Sequence, residues 1–241
     1  MNDSPTDGTR SVAARPEQGG PPLVLLSVIC LGLLFGGLAI GVTLGGVPPL
    51  PYGPATAVVA YVRAQPVAVQ VIATSVFASS VPLAIYAATA STRLRQLGVT
   101  APGATIALTG GTLAAGGLGL TGLVAWTLSR PDVSGDAALV RALYFLVFLV
   151  GGVGHIVALG LLVAGMAVPT LILGLTPRPV AWVGLATAAL AESTTFVLVW
   201  PQLGPILPIA RVSALLWLVL AGALLPLRRN DIRRKAAIAA R

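Results

Sequence analysis

Residues 139–176 form the longest apolar run of this chain, thirty-eight residues interrupted only by Arg141 and His155. As one straight helix at 1.5 Å per residue, such a run would extend about 57 Å, against a bilayer hydrocarbon core of about 30 Å. A run of this length belongs in lipid. Further apolar runs occupy residues 23–47, 67–90, 104–128, 180–200 and 206–227. Only 9% of the residues are charged, where a soluble domain carries about 25%. The sequence therefore predicts an all-α polytopic membrane protein, a bundle of six transmembrane helices over residues 23–227. Two spans within 139–176 would need about forty residues plus a turn. The expectation is one tilted helix to about Met166, a bend near Pro169 and a tail along the interface.

Residues 1–22 are polar and rich in Gly, Pro and Ser, and cannot bury enough apolar surface to offset the entropy of ordering. They read as a disordered cytoplasmic tail, and residues 228–241 as a basic cytoplasmic tail. The run at 23–47 exceeds the 7 to 15 apolar residues typical of a signal peptide and is expected to stay in the mature protein. Between Pro54 and Pro66 lies a segment too short to span, which fits a short interfacial helix on the first loop.

Orientation follows from the basic residues. The two tails and the second and fourth loops hold 11 of the 15 Lys and Arg, leaving 4 for the first, third and fifth loops. By the positive-inside rule both termini are cytoplasmic, with Trp126 and Trp200 at the outer interface and Trp182 at the inner one. The net charge of +8 does not read as nucleic-acid binding, because the basic residues are dispersed among loops and the single cluster follows the last span. No internal repeat is visible, which weakens an inverted-repeat transporter reading.

Small residues recur at helical spacing. Gly37, Gly41 and Gly45 share one face, Gly111, Ala115 and Gly119 another, and Gly184, Ala188 and Glu192 a third, each able to admit a neighbouring helix closely. Gln70, Thr74, Ser75, Ser79 and Ser80 are expected to bond to neighbouring helices. With one cysteine, Cys30, no intrachain disulfide forms.

Glu192, Arg211 and His155, each well inside an apolar run, are the candidate intramembrane polar site. A charge in hydrocarbon costs roughly 2.5 to 3.5 kcal/mol on insertion scales, so it normally faces protein and finds a partner. If the turn between the last two spans centres near Leu203, Glu192 and Arg211 differ by only about 4.5 Å in depth. The expectation is that they pair. His155, flanked by Gly151, Gly152 and Gly154, is expected to face other helices, either as a hydrogen-bonded neutral ring or as a proton carrier. It is the only histidine, so bis-histidine haem ligation is impossible and a zinc site lacks its usual ligands. No cofactor and no metal are expected. H-E-x-x-H, Walker A and G-x-S-x-G motifs are absent, and no context supports Ser193 as a nucleophile with His155 as its base, so the chain does not read as an enzyme.

Arg228, Arg229, Arg233, Arg234 and Lys235 follow the last span, where each basic residue gains about 1 kcal/mol from anionic cytoplasmic lipid. The expected partners are the bilayer, anionic lipid at this tail, and copies of itself or other subunits. Three stretches, ASSVPLAIYAATASTRLRQLGV, DAALVRALYFLVFLVGGVGHIVALGLLVAGMAVP and AESTTFVLVWPQLGPILPIARVSALLWLVLAGALLP, resemble a group of bacterial six-span inner-membrane proteins catalogued only as a domain of unknown function. The resemblance covers residues 54–226 and implies a bacterial plasma membrane, with no activity or site residue to carry over. Two functions remain open. One is a non-enzymatic membrane protein that packs with partner subunits or itself; the other is a small-molecule or proton-coupled transporter using Glu192, Arg211 and His155.

Overall fold

The computed structural model describes residues 20–226. Most of the polar N-terminal tail and all of the basic C-terminal tail lie outside the described residues. Among the described residues the helices are α1 (Leu23–Gly45), α2 (Ala55–Ala64), α3 (Pro66–Gln96), α4 (Gly103–Leu128), α5 (Pro131–Ser134), α6 (Ala137–Leu149), α7 (His155–Ile172), α8 (Arg178–Ser193) and α9 (Ile206–Leu224). Six helical segments are long and apolar enough to cross a membrane. Prolines open α3, α5 and α8, where a missing N–H costs nothing. The Asp136 side chain caps α6, accepting from the amides of Ala138 and Leu139 at 2.9 and 3.2 Å. Gly98 and Gly174, with φ of 95° and 62°, end α3 and α7 in a conformation that favours glycine.

The long apolar run is one span. Helix α6, a π-helical turn at Val150–Gly154 and α7 follow without a break over Ala137–Ile172, 36 residues. The irregularity therefore sits at the three glycines rather than at the expected bend near Pro169, which lies inside α7. Glycine holds an α-helix poorly, so the ladder loosens there first, whereas the Pro169 ring sits in the last turn against Gly103.

The six spans close a circuit in sequence order: α1 packs on α3, α3 on α4, α4 on α7, α7 on α8, α8 on α9, and α9 back on α1. Tyr86, Leu118, Leu159, Leu162, Leu215 and Leu218 are buried between them, while Ile40, Val81, Leu113, Leu123 and Leu216 stand exposed on the outer surface. That distribution suits a bundle solvated by lipid. The glycine faces are consumed within the chain: a Cβ at Gly37 or Gly41 would strike Ser75 or Ile72 of α3, one at Gly111 would strike Ala87, and one at Gly184 would strike the Trp217 ring. Gly32 and Gly36 of α1 have nothing within 4 Å of an added Cβ.

The hydroxyls of α3 do not act as expected. Ser75, Ser79 and Ser80 donate to Val71, Val76 and Phe77 carbonyls of their own helix at 2.5, 2.7 and 2.6 Å, and Gln70 and Thr74 are exposed. Back-bonding to the preceding turn satisfies a serine without a neighbour. The polar ties between spans come from larger or better-placed groups: Tyr86 to Leu218 O at 2.8 Å, Ser91 to Ala104 O at 2.7 Å and Trp217 to Val180 O at 2.8 Å.

Two features shape the end of the bundle remote from Gly20 and Pro226. Helix α2 lays Val58 and Val62 against Val69, Leu128 and Val140, and Arg63 donates to the carbonyls of Ser134 and Gly135, both at 2.8 Å. Helix α2 is thus fastened to the bundle. Opposite it, α8 has only 16 residues, about 24 Å of rise, and continues as 3-10 turns at Thr194–Leu198 and Pro201–Leu203. Val197 in that connection is fully buried with Val153, Ile156 and Leu207. Val197 thus holds the start of this connection against the middle of the long helix.

Candidate functional site

Glu192 and Arg211 do not pair. Ala191 and Ala210 pack together in one apolar cluster where α8 meets α9, and the charged residues lie one position further round each helix, about 100° away. Both turn toward the long helix, but at different levels. Arg211 Nη2 donates to Gly151 O in the π-turn, whereas Glu192 Oε1 lies 3.0 Å from where a Gly160 Cβ would be. Nine residues separate these two contacts, about 13 Å along a helix axis. Arg211 Nε and Glu192 Oε1 are both buried without a hydrogen-bond partner. The sequence estimate assumed regular helices up to a turn at Leu203; the 3-10 connection that begins at Thr194 breaks that symmetry, and the two contacts fall at different levels of the long helix.

His155 lies between these levels and turns to α4. It is fully buried, and its Nδ1 meets Ala114 O of α4 at 2.9 Å. A carbonyl only accepts, so Nδ1 carries the proton, and Nε2, which in the neutral ring presents a lone pair, is buried without a partner. The three candidate residues thus serve three separate contacts. Among the described residues no group of three His, Cys, Asp or Glu could hold a metal ion.

What gathers around Arg211 is a cavity of about 610 Å³. Helices α1, α3, α4, α6 and α9, the π-turn and the connection at 201–205 all contribute to its wall, and the exposed Leu50, Tyr52 and Gln202 line it from the two loops. Its deeper wall is apolar, with Leu34, Val76, Leu118 and Phe148; the polar side chains are Tyr52, Thr121, Gln202 and Arg211. Neither Glu192 nor His155 lines it. The rim is braced by Tyr52, edge-on to Phe145 and Phe148 at 5.5 and 5.4 Å, and by Tyr144, whose hydroxyl donates to Pro49 O at 2.7 Å.

Sequence reasoning found Arg211 but missed its surroundings. Two signals were legible: the glycine cluster at 151–154, which becomes a π-turn, a feature common at functional sites, and the proline-studded stretch 201–208, whose Gln202 enters the wall. Six apolar spans and a lipid-suited outer surface define the chain as a multi-pass α-helical membrane protein. Comparisons with protein-family models, with curated proteins and with solved structures find no match.

Proposed function

We propose that this chain is a non-enzymatic protein of a bacterial plasma membrane, related to the six-span group it resembles, and that it works by binding a ligand in the cavity beside Arg211. One observation carries the reading: among the described residues, the only charged side chain that lines the cavity is an arginine. A guanidinium keeps its proton, so it can hold an anion but cannot serve as a general acid or base. Glu192 and His155, which could exchange protons, stand outside the cavity wall. A proton-coupled carrier built on all three would need them around one path, and the 13 Å or so between the Arg211 and Glu192 contacts argues against it. To test the reading, the protein is extracted into polymer-bounded membrane discs, washed into neutral detergent, and its retained small molecules are counted by mass spectrometry. About one held molecule per chain is expected from the cavity's volume; a chain that retains nothing and binds no added amphiphile would not be a binding protein.

Assembly with copies of itself or with partner subunits would use the outward α1 face at Gly32 and Gly36, four residues apart, where none of the other described residues comes within 4 Å of an added Cβ. The basic tail from Arg228 would meet anionic lipid. With both termini cytoplasmic, a reporter active only in the cytoplasm should function when fused after Arg241, and a tag inserted at Gly135 should be reached by a membrane-impermeant reagent from outside. The reverse pattern would overturn the orientation drawn from the 11 to 4 division of basic residues.

A further inference from the structure

The guanidinium of Arg211 is short of partners. It has five N–H donors, and among the described residues its one hydrogen bond goes to Gly151 O. Its Nε is buried and unbonded. Among the described residues no Asp or Glu lines the cavity, and the one carboxylate within the neighbouring span, Glu192, is turned to Gly160. Clamping a backbone carbonyl accounts for one donor and leaves a positive charge uncompensated in an apolar wall. A cation so placed gains most from a carboxylate or phosphate that can take two parallel N–H bonds.

The rest of the cavity describes what the anion is attached to. Beyond Arg211 and Thr121 the deeper wall is formed by Leu34, Val76, Leu118 and Phe148, with nothing to hydrogen-bond a second polar group. The volume of about 610 Å³ lies within the range of about 300–1,000 Å³ that small-molecule pockets occupy. Exposed Leu50, Tyr52 and Gln202 open it at the loops, and the outer surface of the same helices is apolar. We infer that the cavity between α1, α3, α4, α6 and α9 binds a single-tailed amphiphile with one small anionic head, the head on Arg211 and the tail against Leu34, Val76 and Leu118. This assignment rests on the binding function proposed above and adds the ligand's charge and shape.

The test uses the full chain, purified and stripped of lipid in a neutral detergent, with three labelled probes: oleate, dodecyl phosphate and oleyl alcohol. Wild-type protein should bind at least one of the anionic probes about tenfold more tightly than the alcohol, a gap of one decade in Kd. A preference for oleate would name free fatty acid as the source of the head, and a preference for dodecyl phosphate a lipid phosphate. Arg211→Gln should remove the preference by weakening the anions to the level of the alcohol, and Arg211→Lys should keep part of it. Val76→Phe leaves the guanidinium in place and fills tail space, so it should weaken all three probes; it also serves if Arg211→Gln does not fold. Equal binding of anionic and neutral probes by wild-type protein, or Val76→Phe binding all three as wild type does, would overturn the assignment while leaving a binding protein. Failure of every probe to bind would remove the binding function itself.

Discussion

Alanine in place of Gly165 or Gly110 is expected to destabilise the bundle by about 1–3 kcal/mol each, read as a lower unfolding midpoint in detergent. Both glycines sit where α4 and α7 touch backbone to backbone. A Cβ on Gly165 would lie 2.8 Å from Ala107 Cα and 2.8 Å from Gly103 O. One on Gly110 would lie 2.6 Å from Leu161 Cβ and 2.8 Å from Ala158 O. Backbone atoms cannot swing aside as a flexible side-chain end can, so the helices must separate, and along with them the dispersion contacts of Leu159, Leu162 and Met166, all fully buried. Leucine at either site should prevent folding. The control is Gly116→Ala on the outer face of the same α4, where nothing lies within 4 Å. There the better helix former should be neutral or stabilising, by up to about 1 kcal/mol. A Gly165→Ala protein as stable as the Gly116→Ala protein would show that the two helices are not in backbone contact.

The spans were legible in the sequence because their signal is additive: twenty or so apolar residues identify a lipid-crossing helix whatever it packs against. The helix at Ala55–Ala64 was legible because Pro54 and Pro66 bound it. Periodicity showed that Gly37, Gly41 and Gly45 share a face, but not what covers it. The answer, α3 of the same chain, leaves Gly32 and Gly36 as the open pair and moves any self-association to a different face. The hydroxyls of Ser75, Ser79 and Ser80 could not be assigned either, since a bond to the preceding turn and a bond to a neighbour demand the same residue type. The candidate site failed in a similar way. Residue spacing gives depth only where both helices run regularly to the turn, and the three side chains make their contacts at three levels of the long helix. The cavity drew on five helices and two loops, and no local pattern encodes such a convergence.

Glu192→Met and Arg211→Gln are expected to act independently and in opposite directions. Glu192 is half-buried, and its Oε1 is sealed over Gly160 with no hydrogen-bond partner. A side chain of similar length without polar oxygens should raise stability by about 1–2 kcal/mol. Arg211→Gln removes the donor to Gly151 O, a carbonyl in a turn whose own ladder is already loosened. A hydrogen bond from a charged donor is worth about 1.5–3 kcal/mol, so that loss should be visible as early unfolding. Because the two groups contact the long helix nine residues apart and share no partner, the double variant should equal the sum within about 0.5 kcal/mol. A buried ion pair would behave otherwise: either single change would strand a charge, and removing both would cost less than removing one. The double-mutant cycle therefore separates the two arrangements, and a coupling well above 1 kcal/mol would restore the pair. It would also take away the reason for a ligand at Arg211, since an arginine already neutralised by Glu192 has no vacancy for an anion.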